Sequence, residues 1–225
     1  MLYIAWCVIL FTLLQLLIAF VNLVFCSKLP KGSPGERPLV SILIPARDEE
    51  KNIGKILNDI LHQDYQEIEV IVFNDQSSNL TAEIVKEYAF HDSRISLINS
   101  DLLPEGWLGK NWACHSLSEA AKGEYLLFLD ADVRVGNGLI VNVISYVKHF
   151  KLALVSIFPK QIIKTFGEKI TVPNMNYILL SLLPLILVRK SGFSSLAAAN
   201  GQFMLFDSKI YKTYKLQEKM KRKSV

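Results

Sequence analysis

The first 26 residues of the chain carry no charged side chain. All 46 charged residues, 25 Lys and Arg and 21 Asp and Glu, fall in residues 27–225. Residues 2–26 are apolar apart from Thr12, Gln15 and Asn22. A helix of 25 residues is roughly 37 Å long at about 1.5 Å per residue, and a bilayer core is about 30 Å thick. The pattern therefore predicts a transmembrane anchor, residues 1–27, followed by a globular domain.

A cleaved signal peptide is the main alternative for this segment. Such a peptide carries a basic first region, a shorter apolar run and a small-residue cleavage site, and residues 1–26 show none of the three. Lys28, Lys31 and Arg37 follow the segment directly, and positive residues favour the cytoplasmic side of a membrane. The sequence thus predicts a single-pass protein of the cell membrane whose C-terminal domain is cytoplasmic.

Length and composition restrict the nature of the region after the anchor. A chain of 225 residues suits one domain and an anchor, with residues 28–37, which contain Pro and Gly, as the linker. A hydrophobic share of 51% and a charged share of 20% exclude a disordered or collagen-like chain. The net charge of +4 is too small to indicate nucleic acid, so no nucleic-acid partner is predicted. The three Cys residues form no zinc or disulfide pattern.

Short apolar runs alternate with helical stretches along the rest of the chain. The predicted strands are 39–44, 68–73, 95–99, 125–129 and 153–158, and the predicted helices are 50–62, 81–90, 111–122 and 138–150. This alternation predicts an α/β fold with a mostly parallel sheet and helices on both faces. Ligands of open α/β sheets bind beyond the carboxyl ends of the strands, so the residues after each strand are the ones to inspect.

Asp130 and Asp132 follow the predicted strand 125–129. Two carboxylates this close repel each other unless a cation offsets their charge, and oxygen ligands suit Mg²⁺ or Mn²⁺. Such a cation can bind a diphosphate and stabilise it as it leaves. The alternative is an Asp that caps a turn next to a solvated Asp. We predict the metal site because both residues follow a buried strand.

Polar residues also follow other predicted elements. A carboxylate at Asp75 can accept a hydrogen bond from the imide N–H of uracil, or it can form an Asx turn, and both interpretations stay open. Residues 47–50 can line a ligand site or form the acidic first turn of a helix. Lys110, beside a predicted helix N-terminus, is a candidate phosphate contact. Cys114 and His115 are adjacent on that helix and point different ways, which favours structural roles.

Together these motifs resemble the family 2 glycosyltransferases, which have the Rossmann-like GT-A fold and use nucleotide-diphospho-sugars. The matching stretches are SILIPARDEEKNI (41–53), VIVFNDQSSNLTAEI (70–84), LPEGWLGKNWACH (103–115), YLLFLDADVRV (125–135) and AAANGQFMLFDSKIY (197–211). The stretch GWLGKNWAC is most similar to the membrane-bound branch that includes carotenoid-acid and hopanoid-associated glycosyltransferases. The resemblance implies a GT-A domain over residues 38–212, followed by a basic tail, residues 213–225.

The resemblance also implies roles for individual residues. The implied donor-binding residues are Ala46, Arg47, Glu49, Asp75, Lys110, Asp130, Asn200, Gly201 and Gln202. Ala46, Arg47 and Glu49 would line the nucleoside pocket, and Asp75 would contact the base. Lys110 would lie near the phosphates, and Asp130 and Asp132 would hold Mg²⁺ or Mn²⁺. Residues 200–202 would approach the sugar or the acceptor. The implied reaction is an inverting, metal-assisted transfer from a nucleotide-diphospho-sugar, expected to be a UDP-sugar, to a lipid or polyisoprenoid-type acceptor.

The chain departs from the family pattern at three places. Asp48 stands where similar proteins usually have Asn, and Ser78-Asn79 replaces Thr-Asp. Similar proteins continue with a Gly-Gly-His-like turn and a Glu-Asp pair that holds the catalytic base, whereas residues 212–225 here read KTYKLQEKMKRKSV. We therefore expect a truncated chain with an incomplete acceptor half and an unknown catalytic residue. A catalytically inactive, membrane-anchored nucleotide-sugar binder is the alternative. A nucleotidyltransferase would carry a Gly-rich basic loop after the first strand, and this loop is acidic.

Residues 177–188 (YILLSLLPLILV) form a second apolar run. Twelve residues that include Pro184 are too few to span a bilayer. A buried core helix is the alternative to the interfacial segment that we expect, with Arg189 and Lys190 at the lipid headgroups. A hydroxyl acceptor needs a general base, whereas a carboxylate or phosphate is already an anion at neutral pH. An active chain is therefore expected to use a lipid acceptor that bears a carboxylate or phosphate.

Overall fold

The structure is a computed structural model that describes residues 1–25, 29–33, 35–100, 103–163, 165–190, 199–219 and 221. The first two residues of the stretch AAANGQFMLFDSKIY and the basic end at 222–225 lie outside the described residues. So do Lys28 and the side chains of Arg189 and Lys190, which the sequence predicted to lie near the membrane. The chain forms two compact units. One contains residues 29–159 and 199–225, and the other contains residues 1–28 and 160–198.

The larger unit contains a sheet and the helices that cover it. Its strands are β1 (Val40–Ala46), β2 (Ile68–Asn74), β3 (Ile95–Asn99), β4 (Tyr125–Leu129), β5 (Leu154–Ser156) and β6 (Phe203–Asp207). Its helices are α2 (Ile53–Leu61), α3 (Thr81–His91), α4 (Gly109–Ala120), α5 (Leu139–Phe150), α8 (Ser208–Tyr214) and α9 (Leu216–Lys219). The predicted alternation of strands and helices is confirmed, and most boundaries move by one to three residues.

The sheet has the strand order β3-β2-β1-β4-β6-β5. The pairs β1–β2, β1–β4 and β2–β3 are parallel, and β6 runs antiparallel to both of its neighbours. Because β1 lies between β2 and β4, the loops that follow these three strands emerge at one edge. The mostly parallel sheet that the sequence predicts is therefore confirmed, with an antiparallel strand inserted beside β4.

Alternate side chains of each central strand pack on opposite faces of the sheet. Ile42 and Ile44 of β1 join a cluster with α2, α3 and α5, whereas Leu43 joins a second cluster with α4 and Tyr211 of α8. These strand residues are fully buried, as strands covered on both faces should be. The prediction of helices on both faces is thus confirmed.

The smaller unit consists of helices. Its elements are α1 (Leu2–Val24), α6 (Phe166–Leu182) and α7 (Leu185–Lys190). Among the described helices, α1 is the one long and apolar enough to cross a membrane. At the start of α6, Thr165 and Glu168 form a capping box, in which each side chain accepts a hydrogen bond from the other residue's backbone N–H. The apolar run 177–188 forms the end of α6 and part of α7, and helix geometry is interrupted near Pro184.

Candidate functional site

Side chains from three strand ends meet at one edge of the sheet. Ala46, the last residue of β1, lies opposite Asn74, the last residue of β2. Arg47 and Asp75 come directly after these residues, and Asp130 comes directly after the parallel neighbour β4. This edge is the position at which open α/β sheets bind ligands.

The loops after β1 and β2 are hydrogen-bonded to each other. The backbone N–H of Asp48 donates to Ser77 Oγ at 2.9 Å, and Asp48 Oδ1 accepts from the backbone N–H of Ser78 at 2.8 Å. Ser78 Oγ also donates to Asp48 Oδ1, at 3.1 Å, and the two hydrogen bonds from Ser78 hold the pKa of Asp48 below its usual value. Asp48 has φ 56°, in the left-handed region that Asn and Asp adopt more readily than other non-glycine residues. Asn shares this tolerance and also offers a side-chain acceptor oxygen, so Asp at this position is chemically compatible with the family's usual Asn.

Asp75 is held from three sides. Its backbone N–H donates to Ala46 O at 2.9 Å, and its Oδ2 atom lies 3.7 Å from Arg47 Nη1. Gly109, the first residue of α4, approaches so closely that a Cβ atom built on it would lie 3.0 Å from the same Oδ2 atom. The lack of a side chain at Gly109 lets the first turn of α4 reach this carboxylate. Sequence reasoning did not find this contact, although the glycine in WLGK was a signal for it.

The next residue of α4 contacts the other strand end. Lys110 Nζ lies 2.8 Å from Asp130 Oδ1, and the Asp130 side chain is 26% exposed. The backbone N–H of Asp130 donates to Gln202 O at 3.2 Å, which joins the end of β4 to the loop before β6. Gly109 and Lys110 thus place one helical turn between Asp75 and Asp130.

The loop before β6 is fixed to β5. The backbone N–H of Asn200 donates to Ser156 Oγ at 2.7 Å, and Asn200 Oδ1 accepts from the backbone N–H of Gln202 at 2.8 Å. A Cβ atom built on Gly201 would meet nothing within 4 Å, so space beside this residue is open. The predicted residues 200–202 therefore lie on a loop that Gln202 joins to Asp130.

Glu49 and Asp132 make no contact with the other predicted residues. Glu49 Oε2 accepts a hydrogen bond from Asn52 Nδ2 at 2.9 Å, before α2 begins. The first turn of α2 contains no acidic residue, so the alternative that residues 47–50 form an acidic first turn is wrong. Asp132 is exposed and makes no hydrogen bond or ion pair with the part of the chain that the structure describes. The predicted site residues are thus brought to one edge, but the contacts connect only some of them.

The donor set at the end of β4 fits a hard cation. Asp132 offers a free carboxylate, and Asp130 uses Oδ1 for Lys110. No group of three or more His, Cys, Asp or Glu residues is arranged to hold a metal among the described residues. Mg²⁺ and Mn²⁺ sites of this kind take one or two carboxylates and complete their coordination with water and phosphate oxygens. The chemistry of the two Asp residues therefore fits such an ion when a diphosphate is present.

Behind the first turn of α4 lies an aromatic cluster. The ring centroids of Trp107 and His115 are 4.9 Å apart, and those of Trp107 and Trp112 are 5.3 Å apart. Burial raises the pKa of the Cys114 thiol to about 12. Such a thiol stays protonated at neutral pH and is a poor nucleophile, in keeping with the structural role that the sequence suggested.

The family follows from the sequence match. The model of the family described as "Glycosyl transferase family 2" matches residues 41–214, which is more than half of the chain. The chain belongs to glycosyl transferase family 2. The family predicted from the motifs is therefore confirmed, and every residue of the candidate site lies inside the matched region.

Two curated relatives of this family 2 chain come from staphylococci. It is 30% identical over 170 residues to the 4,4'-diaponeurosporenoate glycosyltransferase of Staphylococcus haemolyticus, a match that covers 74% of this chain and 42% of that protein. The protein of the same name from Staphylococcus aureus strain USA300 is 33% identical over 131 residues, which are 57% of this chain and 34% of that protein. The chain thus spans less than half the length of these relatives.

Solved structures show the fold. A mannosyltransferase from Pyrobaculum calidifontis, solved in complex with GDP-Man and Mn²⁺, aligns with a TM-score of 0.64 and 19% identity. The alignment covers 91% of this chain and 55% of that one. Residues 1–349 of S. aureus TarS in complex with UDP align with a TM-score of 0.50 and 19% identity, over 82% of this chain and 52% of that one. The predicted GT-A type fold is confirmed by these likenesses.

Proposed function

We propose that this family 2 chain binds a UDP-sugar at the carboxyl edge of its sheet and transfers the sugar, with inversion, to an anionic lipid. The contact of consecutive residues Gly109 and Lys110 with Asp75 and Asp130 carries this proposal. It holds one helix N-terminus between a candidate base-binding carboxylate and a candidate metal-binding carboxylate. A nucleotide whose base meets Asp75 and whose diphosphate meets the other carboxylate would extend along this turn.

Each residue then has a physical task on the donor. Asp75 accepts a hydrogen bond from the uracil imide, and Ala46, Arg47 and Glu49 line the nucleoside pocket. Lys110 and the positive end of the α4 helix dipole attract the diphosphate. The remaining donor contacts come from the loop 200–202, which faces the sugar or the acceptor.

Asp130 and Asp132 would hold a Mg²⁺ or Mn²⁺ ion. When bound, the ion offsets the negative charge that develops on the departing diphosphate. The relevance of such an ion is supported by the Mn²⁺ complex of the Pyrobaculum mannosyltransferase, which shares the fold. Lys110 neutralises part of the charge at Asp130, so the chain itself contributes a cation on the phosphate side.

The acceptor proposal rests on the chemistry of an anion. A carboxylate oxygen attacks the anomeric carbon, a C–O bond forms there, and the bond to the diphosphate oxygen breaks with its electron pair leaving on the nucleoside diphosphate. No proton has to be removed from such a nucleophile, so no general base is needed. The relatives named for 4,4'-diaponeurosporenoate support an apolar carboxylate as the acceptor.

We place the reaction at the cytoplasmic face of the cell membrane. Helix α1 supports a single-pass anchor by its length and composition. Lys28, Lys31 and Arg37 follow it in the sequence and favour the cytoplasm for the larger unit. An apolar acceptor dissolved in the bilayer would then meet the donor at the membrane surface.

Calorimetry with UDP and Mn²⁺, followed by a UDP-release assay with an apolar carboxylate in nanodiscs, tests the proposal. Asp132→Ala should abolish the Mn²⁺ dependence of both measurements, whereas Glu87→Ala, which removes an exposed carboxylate from α3, should change neither. Absence of UDP binding by the wild type with either ion would refute the donor site. Release of UDP with the matching alcohol but not with the carboxylate would refute the proposal of an anionic acceptor.

A catalytically inactive nucleotide-sugar binder is the second candidate. The contacts of Asp75, Lys110 and Asp130 concern the donor alone, and they are equally compatible with binding that is not followed by transfer. UDP-sugar binding that requires Asp132, together with no release of UDP on any acceptor, would establish this candidate over the first.

A further inference from the structure

A buried polar side chain lies in α1, the most apolar of the helices that the structure describes. Asn22 of α1 is 3% exposed, whereas most large apolar side chains of α1 are more than half exposed. The less exposed positions of α1 include Gln15, Ile18, Ala19 and Asn22, which share one helical face by their spacing. Helix α6 packs on α1. The covered face of α1 thus carries its two amide side chains.

Asn22 uses its amide group fully at the junction of α6 and α7. Its Nδ2 atom donates to Leu180 O at 2.8 Å and to Leu183 O at 2.7 Å, and its Oδ1 atom accepts from the backbone N–H of Leu185 at 2.9 Å. In a continuous helix Leu180 O would accept from the N–H of residue 184, and Pro184 has none. Asn22 therefore supplies the donor that the proline removes.

This arrangement suits an environment without water. At a water-exposed surface the carbonyl groups of Leu180 and Leu183 could bind water instead. The hydrogen bonds from Asn22 would then add little stability. In hydrocarbon an unpaired backbone group has no water to bind and is strongly unfavourable, so the carbonyl groups at a broken helix need a partner within the protein. The three hydrogen bonds of Asn22 provide that partner inside the unit.

The rest of the segment presents an apolar surface with a basic sequence. Exposed apolar side chains of α6 and α7 include Tyr177, Ile178, Leu180, Leu182 and Leu185. Residues 160–190 contain five Lys and Arg and one Glu, so the segment is positively charged. An apolar face with basic flanks fits a bilayer that contains anionic lipid.

We propose that α6 and α7 insert into an anionic phospholipid bilayer beside α1, and that Asn22 is the positioning residue that holds their junction there. The inference goes beyond sugar transfer and needs only the proposed membrane anchoring. It makes residues 166–190 part of the membrane-bound unit, where an apolar acceptor would be dissolved. No donor, metal or acceptor takes part in it, so it can fail or succeed independently of the proposed reaction.

Lipid contact is tested with a fluorescent probe on the full chain. An NBD label on Ile178→Cys, in a background with Cys7→Ala and Cys26→Ala, is reconstituted in phosphatidylcholine–phosphatidylglycerol nanodiscs with or without brominated chains. Brominated lipid should quench this label at least threefold and should leave a label on the exposed Glu83→Cys nearly unchanged. A label at 178 that brominated lipid does not quench would overturn the proposal. Energy transfer between labelled copies in place of quenching by lipid would also overturn it, because the segment would then contact a second copy of the chain.

Hydrogen exchange in the same nanodiscs tests the role of Asn22. Asn22→Leu should raise the exchange rate of amides in α6 and α7 at least tenfold and leave the amides of β1 unchanged. Thr12→Leu is the matched control and should have no effect, because Thr12 is an exposed polar residue of the same helix whose hydroxyl donates to Val8 O within that helix. Equal exchange in Asn22→Leu and wild type would refute the positioning role.

Discussion

Gly109→Ala perturbs the candidate donor site at its tightest contact. A methyl group at this position would lie 3.0 Å from Asp75 Oδ2, the same oxygen that lies 3.7 Å from Arg47 Nη1. An ordinary contact between carbon and oxygen needs a few tenths of an ångström more, so either the carboxylate or the first turn of α4 must move. The backbone at Gly109 has no left-handed conformation, and strain from that source does not contribute.

The expected effects on binding and on stability have opposite signs. Alanine is a better helix former than glycine by up to about 1 kcal/mol, so the variant should be as stable as the wild type or slightly more stable. Displacement of binding groups by about 1 Å can cost about a hundredfold in function, and the shift needed here is smaller. We therefore expect a three- to tenfold loss of UDP affinity, or about 0.7–1.4 kcal/mol.

Calorimetric titration with UDP and Mn²⁺, beside a thermal melt, measures both quantities. The matched control is Gly136→Ala, since a Cβ atom built on Gly136 meets nothing within 4 Å. The control should bind UDP like the wild type. Unchanged or tighter UDP binding by Gly109→Ala would show that Asp75 and the start of α4 do not form the donor site.

Three further predictions concern stability and reactivity. Gly123→Ala should lower the melting temperature, because the new Cβ atom would lie 2.6 Å from the backbone N of Ser41, and crowding of this kind typically costs about 1–3 kcal/mol. Arg134 holds the pKa of Asp59 below its usual value. Arg134→Gln should therefore lower the free energy of unfolding at pH 7, and this loss should shrink as the pH falls below about 4 and Asp59 becomes protonated. An equal loss of stability at pH 3 would contradict this. Cys114 should resist iodoacetamide at pH 8 in the native protein and react once the protein is unfolded in urea, with mass spectrometry as the readout.

The central strands could be predicted because their signal is local. Runs such as Leu126–Leu129 are apolar throughout, and strands buried on both faces need this composition. The pairing of β6 between β4 and β5 could not be predicted, because it joins segments far apart in the chain by hydrogen bonds that no local pattern reveals. The start of α6 was readable in principle, since Thr165 and Glu168 have the spacing of a capping box.

The candidate site was likewise only partly predictable from the sequence. Parallel strands end at the same edge, so the placement of Asp75 and Asp130 at one edge followed from the prediction of a mostly parallel sheet. The contacts of Gly109 and Lys110 did not, because they depend on where α4 lies across the sheet and on a backbone approach that only the three-dimensional structure shows. Departures from the family pattern were also hard to judge from sequence; at Asp48 the structure shows a left-handed φ, which Asp and Asn both adopt.

The ion pair at the end of β4 changes the argument for the metal. The sequence analysis assumed that Asp130 and Asp132 both need a cation to offset their charge. Lys110 already offsets the charge of Asp130 at 2.8 Å, whereas Asp132 is exposed and lacks a partner within the described residues. The two carboxylates are therefore not equivalent. A metal that arrives with a diphosphate would offset a negative charge that has no partner at Asp132, whereas Lys110 already offsets part of the charge at Asp130. Substitution of Asp132 should therefore reduce metal binding more clearly than substitution of Asp130.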